Sequence, residues 1–222
     1  MYYDLDIKSN FKKKDINFLI DSEYAGYCIS KTIRQSDIKK FISLDLPFDL
    51  PNKHVLKKIT VDIDTNTYNI KHLKEKCDVL CIKLKNLESP VDENMCDLVN
   101  IDFTSQIKIK NINPNVFYEI SISNNLNNKK DRLMWFYNTK MFINYTKGKN
   151  VVISSGAENA SELKSYIDFM KLFDFLDIKE KIGQRILKNS LKLLHKCAEN
   201  RYFVHNCIFN DIDEGVLKKN FY

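Results

Sequence analysis

The sequence predicts an α/β fold: a TIM-barrel-like (β/α) single domain of about seven mainly parallel strands with C-terminal helices. Three observations lead there. Seven short apolar or alternating runs recur along the 222-residue chain, and segments long enough to cross a sheet and return separate them, which joins strands in parallel. Apolar residues at helical spacing lie between several runs and again in two closing segments. No Pro/Gly/Ser-rich linker, low-complexity tract or repeat divides the chain. The closed form of such a sheet is a barrel, and a doubly wound open sheet is the alternative.

The first strand is "YYDLDI", Tyr2 to Ile7, followed by a helical stretch over Lys13–Tyr24 that turns Ile16, Phe18 and Leu19 inward. Gly26 punctuates entry to the second strand, "YCISKTI". The third is "HVLKKITVDID", His54 to Asp64, with a helix near Ile70–Lys76 after it. "DVLCIKL" (Asp78–Leu84), "DLVNIDF" (Asp97–Phe103) and "NVFYEISIS" (Asn115–Ser123) follow. A helix over Asn127–Tyr145, with Leu133, Phe136, Tyr137, Met141 and Phe142 on its inner side, leads to the seventh strand, "NVVISS". Two helices close the domain. Leu163, Tyr166, Ile167, Met170 and Phe173 form the stripe of the first, and Ile182, Ile186, Leu187, Leu191, Leu194 and Cys197 that of the second. The domain is assigned to residues 1–203, and 204–222, containing "NDIDEGVLKKNFY", to a loosely held tail.

With 44% hydrophobic and 12% aromatic residues, the chain can bury a sizeable core. No apolar run approaches the ~20 residues that span a bilayer, so no membrane association is expected. The first residues carry no basic and apolar leader pattern, so no secretory signal is expected. Of six cysteines, only Cys77 and Cys81 lie close together, and no second pair completes a zinc spacing. They are expected to be reduced and mostly buried, as in a cytosolic or nuclear protein. The net charge of +6 permits an anionic partner. Abundant Lys, Asn, Ile, Phe and Tyr also match coding in an A+T-rich genome, so the placement of charge carries more information than its total.

A barrel carries its chemistry at the C-terminal strand ends. Those ends read Asp4 and Asp6, Ser30 and Lys31, Asp62 and Asp64, Lys83, Asp102 and Thr104, Glu119 and Ser121, and Ser154 and Ser155. Carboxylates with a lysine could bind a divalent ion, giving the alternative function of a metal-dependent phosphoesterase. Polar residues, however, appear wherever strands surface. The first strand holds no His-x-His pair, and His54, His72, His195 and His205 lie away from strand ends, so no metal site is expected. "SSGA" is not a nucleophile elbow, and five glycines leave no nucleotide-binding glycine loop. The turn Ser154-Ser155-Gly156-Ala157 could offer amides to a phosphate, and equally could be a tight turn with capping side chains.

The last helix gives a different signal. Lys181, Arg185, Lys188, Lys192 and Lys196 recur three or four residues apart, on a face away from the apolar stripe. Such a row is ordinarily a solvated face; it also suits a sugar–phosphate backbone. Lys129, Lys130 and Arg132, with Lys147 and Lys149, could extend it, and Lys12, Lys13 and Lys14 form another cluster.

The order of segments resembles the thirty-kilodalton protein subunit of ribonuclease P, shared with RNase MRP in eukaryotes. The resemblance rests on "YYDLDI", "YAGYCIS", "KKITVDID", "CDVLCIK", "CDLVNIDF", "FYEISIS" and, most specifically, "VVISSGAENASEL". It covers roughly residues 2–203. "YCISKTI" departs from the family's Ala-Ile-Asn, residues 35–53 align in length only, and the 222 residues do not include the long basic tail common in eukaryotic members. The resemblance implies a non-catalytic subunit of an endoribonuclease whose RNA, with bound magnesium, removes the 5′ leader of precursor tRNA. It implies no cofactor on the protein, and a small ferredoxin-like protein and the RNase P or MRP RNA as partners, with precursor tRNA met indirectly. The implied place is the nucleus and nucleolus. Lys181, Arg185, Lys188, Lys192, Lys129, Lys130 and Arg132 are the expected RNA contacts; Ser154, Ser155, Gly156 and Ala157 are expected to serve as a turn that could also touch phosphate.

Overall fold

The computed structural model describes residues 2–63, 70–87, 90–105, 107–109, 112–122, 128–204 and 207–208, with side chains described up to 201. Seven strands, β1 (Tyr3–Lys8), β2 (Gly26–Arg34), β3 (His54–Asp62), β4 (Val79–Leu84), β5 (Leu98–Ile101), β6 (Phe117–Ser121) and β7 (Val151–Ser154), form one sheet in sequential order. Every pairing is parallel. The sheet curls into a barrel whose first and last strands sit side by side without sharing a ladder.

The seam between β1 and β7 is closed by other means. Its far end is bridged where the Lys8 amide donates to the Ala157 carbonyl at 2.9 Å. Midway, the Ser155 amide donates to Asp4 Oδ1 at 3.1 Å. At the near end the long helix α4 (Glu180–Tyr202) intervenes: Ser190 Oγ accepts from the Tyr3 amide at 3.4 Å, and Asn189 Nδ2 donates to the Val151 carbonyl at 2.7 Å. An edge strand left with bare polar groups is costly when buried; here α4 and two strand-end residues satisfy them.

Helix α4 continues across the N-terminal end of the barrel. Leu193, Leu194, Cys197 and Ala198 pack on inward residues Leu5, Leu56, Val79, Leu98, Phe117 and Val152, all buried. Its last turn is pinned under β4 and β5 by Arg201, which donates to Asp97 Oδ2 at 2.6 Å and to the Lys74 and Cys77 carbonyls. The bottom of the barrel is therefore a closed apolar plug.

Outside the strands, α1 (Ile16–Ile20) is preceded by a 3₁₀ turn over Lys13–Asp15. It is shorter than the expected 13–24 helix, and Phe18 points to solvent while Leu19 is buried. Helix α2 (Lys129–Thr146) starts at Asn128, whose side chain caps the Lys130 amide, and ends at Lys147 in the left-handed region, φ 53°. Its inward face differs from the expected one: Trp135, Asn138, Thr139, Phe142 and Ile143 are buried, whereas Leu133, Tyr137 and Met141 are exposed. Asn138 explains the rotation, because its amide donates to the Phe103 and Ser105 carbonyls at 2.8 Å each. Helix α3 (Tyr166–Phe175) opens on a Ser165/Asp168 capping box and buries Phe169 and Phe173; Ile167 faces solvent, contrary to the expected stripe.

The crossovers are less helical than the alternation suggested. A 3₁₀ turn over Lys71–Lys76 stands between β3 and β4, and another over Gln35–Lys40 opens the 35–53 region, where Phe41, Leu44 and Leu50 are buried. No helix of the described residues is long and apolar enough to cross a membrane. The five cysteines with described side chains are free and buried. Beyond α4 only a two-residue antiparallel pair, β8 (Phe203–Val204) with β9 (Cys207–Ile208), is described; the remainder of the assigned tail, with His205, lies outside the described residues, as does Asp64.

Candidate functional site

Above the apolar plug the barrel interior turns polar. Alternation in a parallel strand sends every second side chain inward, which aims Ser30, Lys58, Asn100, Glu119 and Ser154 at the axis. Strand β1 breaks the alternation. Its register with β2 slips between Asp4 and Ile7, so Leu5 joins the plug while Asp6, the next residue, also reaches the axis. A bulge of this kind re-aims a side chain. Asp4 braces it: Oδ1 accepts from the Asp6 amide at 3.2 Å.

Lys58 is the hub. Its ammonium, fully buried, donates to both Glu119 oxygens at 2.6 and 2.7 Å and lies 3.7 Å from Asp6 Oδ1. Glu119 also accepts from Ser154 Oγ at 2.9 Å and Asn100 Nδ2 at 3.0 Å. Asp6 accepts from Ser30 Oγ at 2.5 Å, Ser121 Oγ at 3.2 Å and the Lys8 ammonium at 2.8 Å. Two carboxylates thus meet two ammonium groups. Burial would raise the Asp6 pKa, but Lys58 and Lys8 outweigh it and hold the carboxyl well below the usual range. Burial would likewise lower that of Lys58, and Asp6 and Glu119 overcome it, so the amine stays charged. Among the described residues no cation pairs with Asp4. Burial dominates the hydrogen bonds from Ser155 and Asp6 and lifts its pKa to about 6, and its Oδ2 is buried without a partner.

A cavity of about 240 Å³ opens above the network, lined by Lys8, Thr32, Thr60, Lys83, Asp102 and Ser121 among others. Of the strand-end carboxylates, Asp6, Asp102 and Glu119 line it, with Asp6 and Glu119 already paired to Lys8 and Lys58. Asp4 turns into the seam, Asp62 is exposed, and Asp102 Oδ1 accepts from the Thr104 amide and hydroxyl at 3.0 and 2.6 Å. Lys31 stands over the Phe41 ring at 5.7 Å. No group of three His, Cys, Asp or Glu side chains among the described residues is placed to hold a metal. His54 accepts or donates at the Tyr3 hydroxyl, 2.7 Å away, and His72 and His195 are exposed. Of the polar set, Lys58, Asn100 and Lys8 were missed from sequence, Lys58 being the most consequential. Two adjacent lysines in "LKKIT" hide which one faces inward; the apolar Leu56 two residues earlier was the available signal.

The turn after β7 lies wholly inside the protein. Ser154, Ser155 and Ala157 are fully buried. Ser155 Oγ accepts from the Ala157 amide at 3.2 Å, and Gly156 takes φ 68°, a region open to glycine at little cost. With the Ser155 amide on Asp4 and the Ala157 carbonyl on Lys8, these residues stitch the barrel seam.

The basic residues divide into two groups. Lys129, Lys130 and Arg132 are exposed in the first turn of α2, just beyond the C-terminal end of β6. Lys181, Lys188 and Lys192 are exposed on α4, with Arg185 and Lys196 half-buried, at the opposite end of the barrel. The length of α2, about 27 Å at 1.5 Å per residue, separates the two. Lys147 and Lys149 belong with α4: Arg185 Nη1 donates to the Lys147 carbonyl at 2.9 Å. A cleft of about 420 Å³ lies between α4 and the turns before β6 and β7, and Lys149, Arg185 and Lys192 line it.

A family model described as RNase P subunit p30 matches residues 1–202. "Protein GAMETOPHYTE DEFECTIVE 1" of Arabidopsis thaliana is 29% identical over 116 residues, which are 48% of this chain and 20% of that protein; the chain therefore spans about a fifth of that relative's length. "Probable ribonuclease P protein subunit 3" of Schizosaccharomyces pombe is 21% identical over 169 residues, 70% of this chain and 72% of that protein. Among solved structures, a chain in a cryo-EM structure of archaeal ribonuclease P with mature tRNA shares the fold. The TM-score is 0.63 at 15% identity, over 95% of this chain and 99% of that one.

Proposed function

The chain belongs to the RNase P subunit p30 family, and from that premise we propose that it is a protein subunit of ribonuclease P supporting RNA-catalysed removal of the 5′ leader from precursor tRNA. The match over residues 1–202 is the observation that carries this reading. In it the catalytic chemistry resides in the RNA, whose magnesium ions supply the charge stabilisation for phosphodiester cleavage. The protein contributes shape and cations.

The state of the barrel interior supports a non-catalytic role. Asp6 and Glu119 are already neutralised by Lys8 and Lys58, and each carboxylate is further engaged by hydroxyl or amide donors. A general base or metal ligand needs a free lone pair facing substrate; here the lone pairs are turned to partners that lock the barrel. In the same reading, the α4 row and the Lys129–Arg132 group meet RNA backbone at two separate places. The other partner is a small ferredoxin-like protein subunit, RNase MRP is a second particle containing the chain, and the location is the nucleus and nucleolus.

Affinity purification of the tagged chain from its own cells, with sequencing of bound RNA and identification of bound proteins, tests the assignment. Enrichment of one structured RNA together with a small ferredoxin-like protein is expected. Recovery of the chain alone, or with unrelated RNAs in proportion to their abundance, contradicts it.

A further inference from the structure

The cleft between α4 and the turns before β6 and β7 has two unlike walls. One is cationic: Lys149, Arg185 and Lys192 line it, and no carboxylate does so among the described residues. Lys149 and Lys192 are exposed, so their ammonium groups can reach an anion. Arg185 is fixed by its bond to the Lys147 carbonyl, so one guanidinium is held in place at the edge. The other wall is largely apolar: Pro114 and the exposed Tyr145 ring, backed by the buried Val116 and Tyr118. Tyr145 is 62% exposed although it projects from a helix with a well-packed inner face. Its ring is therefore available for stacking.

The floor is rigid. The Tyr118 hydroxyl accepts from the Asn113 amide at 3.0 Å, Asn150 Nδ2 donates to the Pro114 carbonyl at 2.6 Å, and Asn189 bonds to the Gly148 and Val151 carbonyls at 3.0 and 2.7 Å. The volume, about 420 Å³, falls in the range of small-molecule sites. An uninterrupted duplex has no single base to place in such a recess; an unpaired nucleotide has one, with its phosphate beside it.

We propose that this cleft captures a single unpaired nucleotide, its base against Tyr145 and the apolar wall and its phosphate on Lys149, Arg185 and Lys192. The assignment of an RNA strand as the source rests on the reading of the chain as a ribonuclease P subunit; a free mononucleotide presents the same chemistry. The site makes the N-terminal end of the barrel, opposite the strand-end cavity, a face that holds unpaired RNA. Stacking distinguishes it from a merely cationic surface, because a cation row alone gives a single strand no advantage over the more densely charged duplex.

The test uses the full chain, a fluorescent oligoadenylate, a blunt RNA duplex of equal length, and adenosine 5′-monophosphate as competitor. The variants are Tyr145→Ala and the double charge reversal Lys149→Glu/Lys192→Glu, all at exposed positions, with circular dichroism to confirm the fold. Tyr145→Ala is expected to weaken single-strand binding at least about fivefold and to leave duplex binding within about twofold. The charge reversal is expected to weaken both and to flatten the salt dependence by roughly 0.7 in log–log slope for each lysine lost on the single strand. Competition by the mononucleotide assigns the free nucleotide as a sufficient ligand, and its failure beside tight oligoadenylate binding assigns the strand; both keep the site. If Tyr145→Ala alters neither ligand while charge reversal weakens both equally, the nucleotide site is refuted and the backbone-binding face survives. The subunit reading fails separately, through loss of the co-purifying RNA.

Discussion

Replacing Lys58 with Met removes the hub of the barrel interior while keeping its length and apolar stem. Glu119 then loses both of its shortest bonds, 2.6 and 2.7 Å, and keeps Ser154, Asn100 and the long Cys81 thiol contact. Asp6 suffers less, because Lys8, Ser30 and Ser121 remain on it. Breaking one side of a buried ion pair costs about 3–5 kcal/mol, chiefly from the charge left behind. With a urea slope of about 2 kcal/mol/M, the unfolding midpoint falls by roughly 1.5–2.5 M. Trp135 is the probe: it is the single tryptophan, fully buried, and its indole donates to the Ser121 carbonyl at 3.1 Å. Adding Glu119→Gln to Lys58→Met removes the stranded charge and is expected to restore at least half of the loss, a coupling that independent sites do not show. A Lys58→Met protein within about 1 kcal/mol of the parent, or a double variant as unstable as the sum of its singles, refutes the account of the network.

Asp4→Asn tests the seam. An acid whose folded pKa stands near 6 favours the folded state when protonated, so the parent loses stability as pH rises from about 4 to above 6. The stability of Asp4→Asn relative to the parent should grow over that window by up to about 3 kcal/mol; a flat difference curve refutes the burial argument. Asp6 acts in the opposite sense, its contribution present above the ordinary carboxylate range and lost in strong acid, below this window. Arg201→Met should cost about 2–4 kcal/mol and speed hydrogen exchange at the Leu80 amide, which donates to Asp97 at 2.8 Å; unchanged exchange there contradicts the pinning of α4. Gly26→Ala would bring a Cβ to 2.3 Å from the His54 carbonyl. A loss of about 1–3 kcal/mol or more in thermal unfolding is expected, and a neutral result would show that β2 and β3 can part there.

The strands were legible because parallel strands buried on both sides read as apolar runs, and all seven were located to within a few residues. The seam was not legible. It depends on a bulge at Leu5 and Asp6, on Ser190 reaching the Tyr3 amide, 187 residues away, and on Asn189 reaching Val151, 38 residues away, contacts that leave no local pattern. The α2 face was misjudged for a physical reason: Asn138 and Thr139 occupy buried positions that an apolar count assigns to solvent, so Leu133, Tyr137 and Met141 took their place in the expected stripe. For the site, the basic row on α4 was legible from spacing, and its separation from Lys129–Arg132 was not, since that follows from the direction of α2. The "ISSGA" stretch pointed to the family as expected, and its serines serve the barrel interior and seam.

In the proposed reading this chain serves an RNA-based endoribonuclease and does not cut RNA itself. Cleavage of precursor tRNA by particles purified through the tagged chain tests it most directly, with and without prior destruction of the bound RNA by micrococcal nuclease. The expected result is 5′-leader removal that disappears with the RNA and persists in particles carrying Asp6→Asn. Leader removal that survives nuclease treatment and is abolished by Asp6→Asn would contradict it.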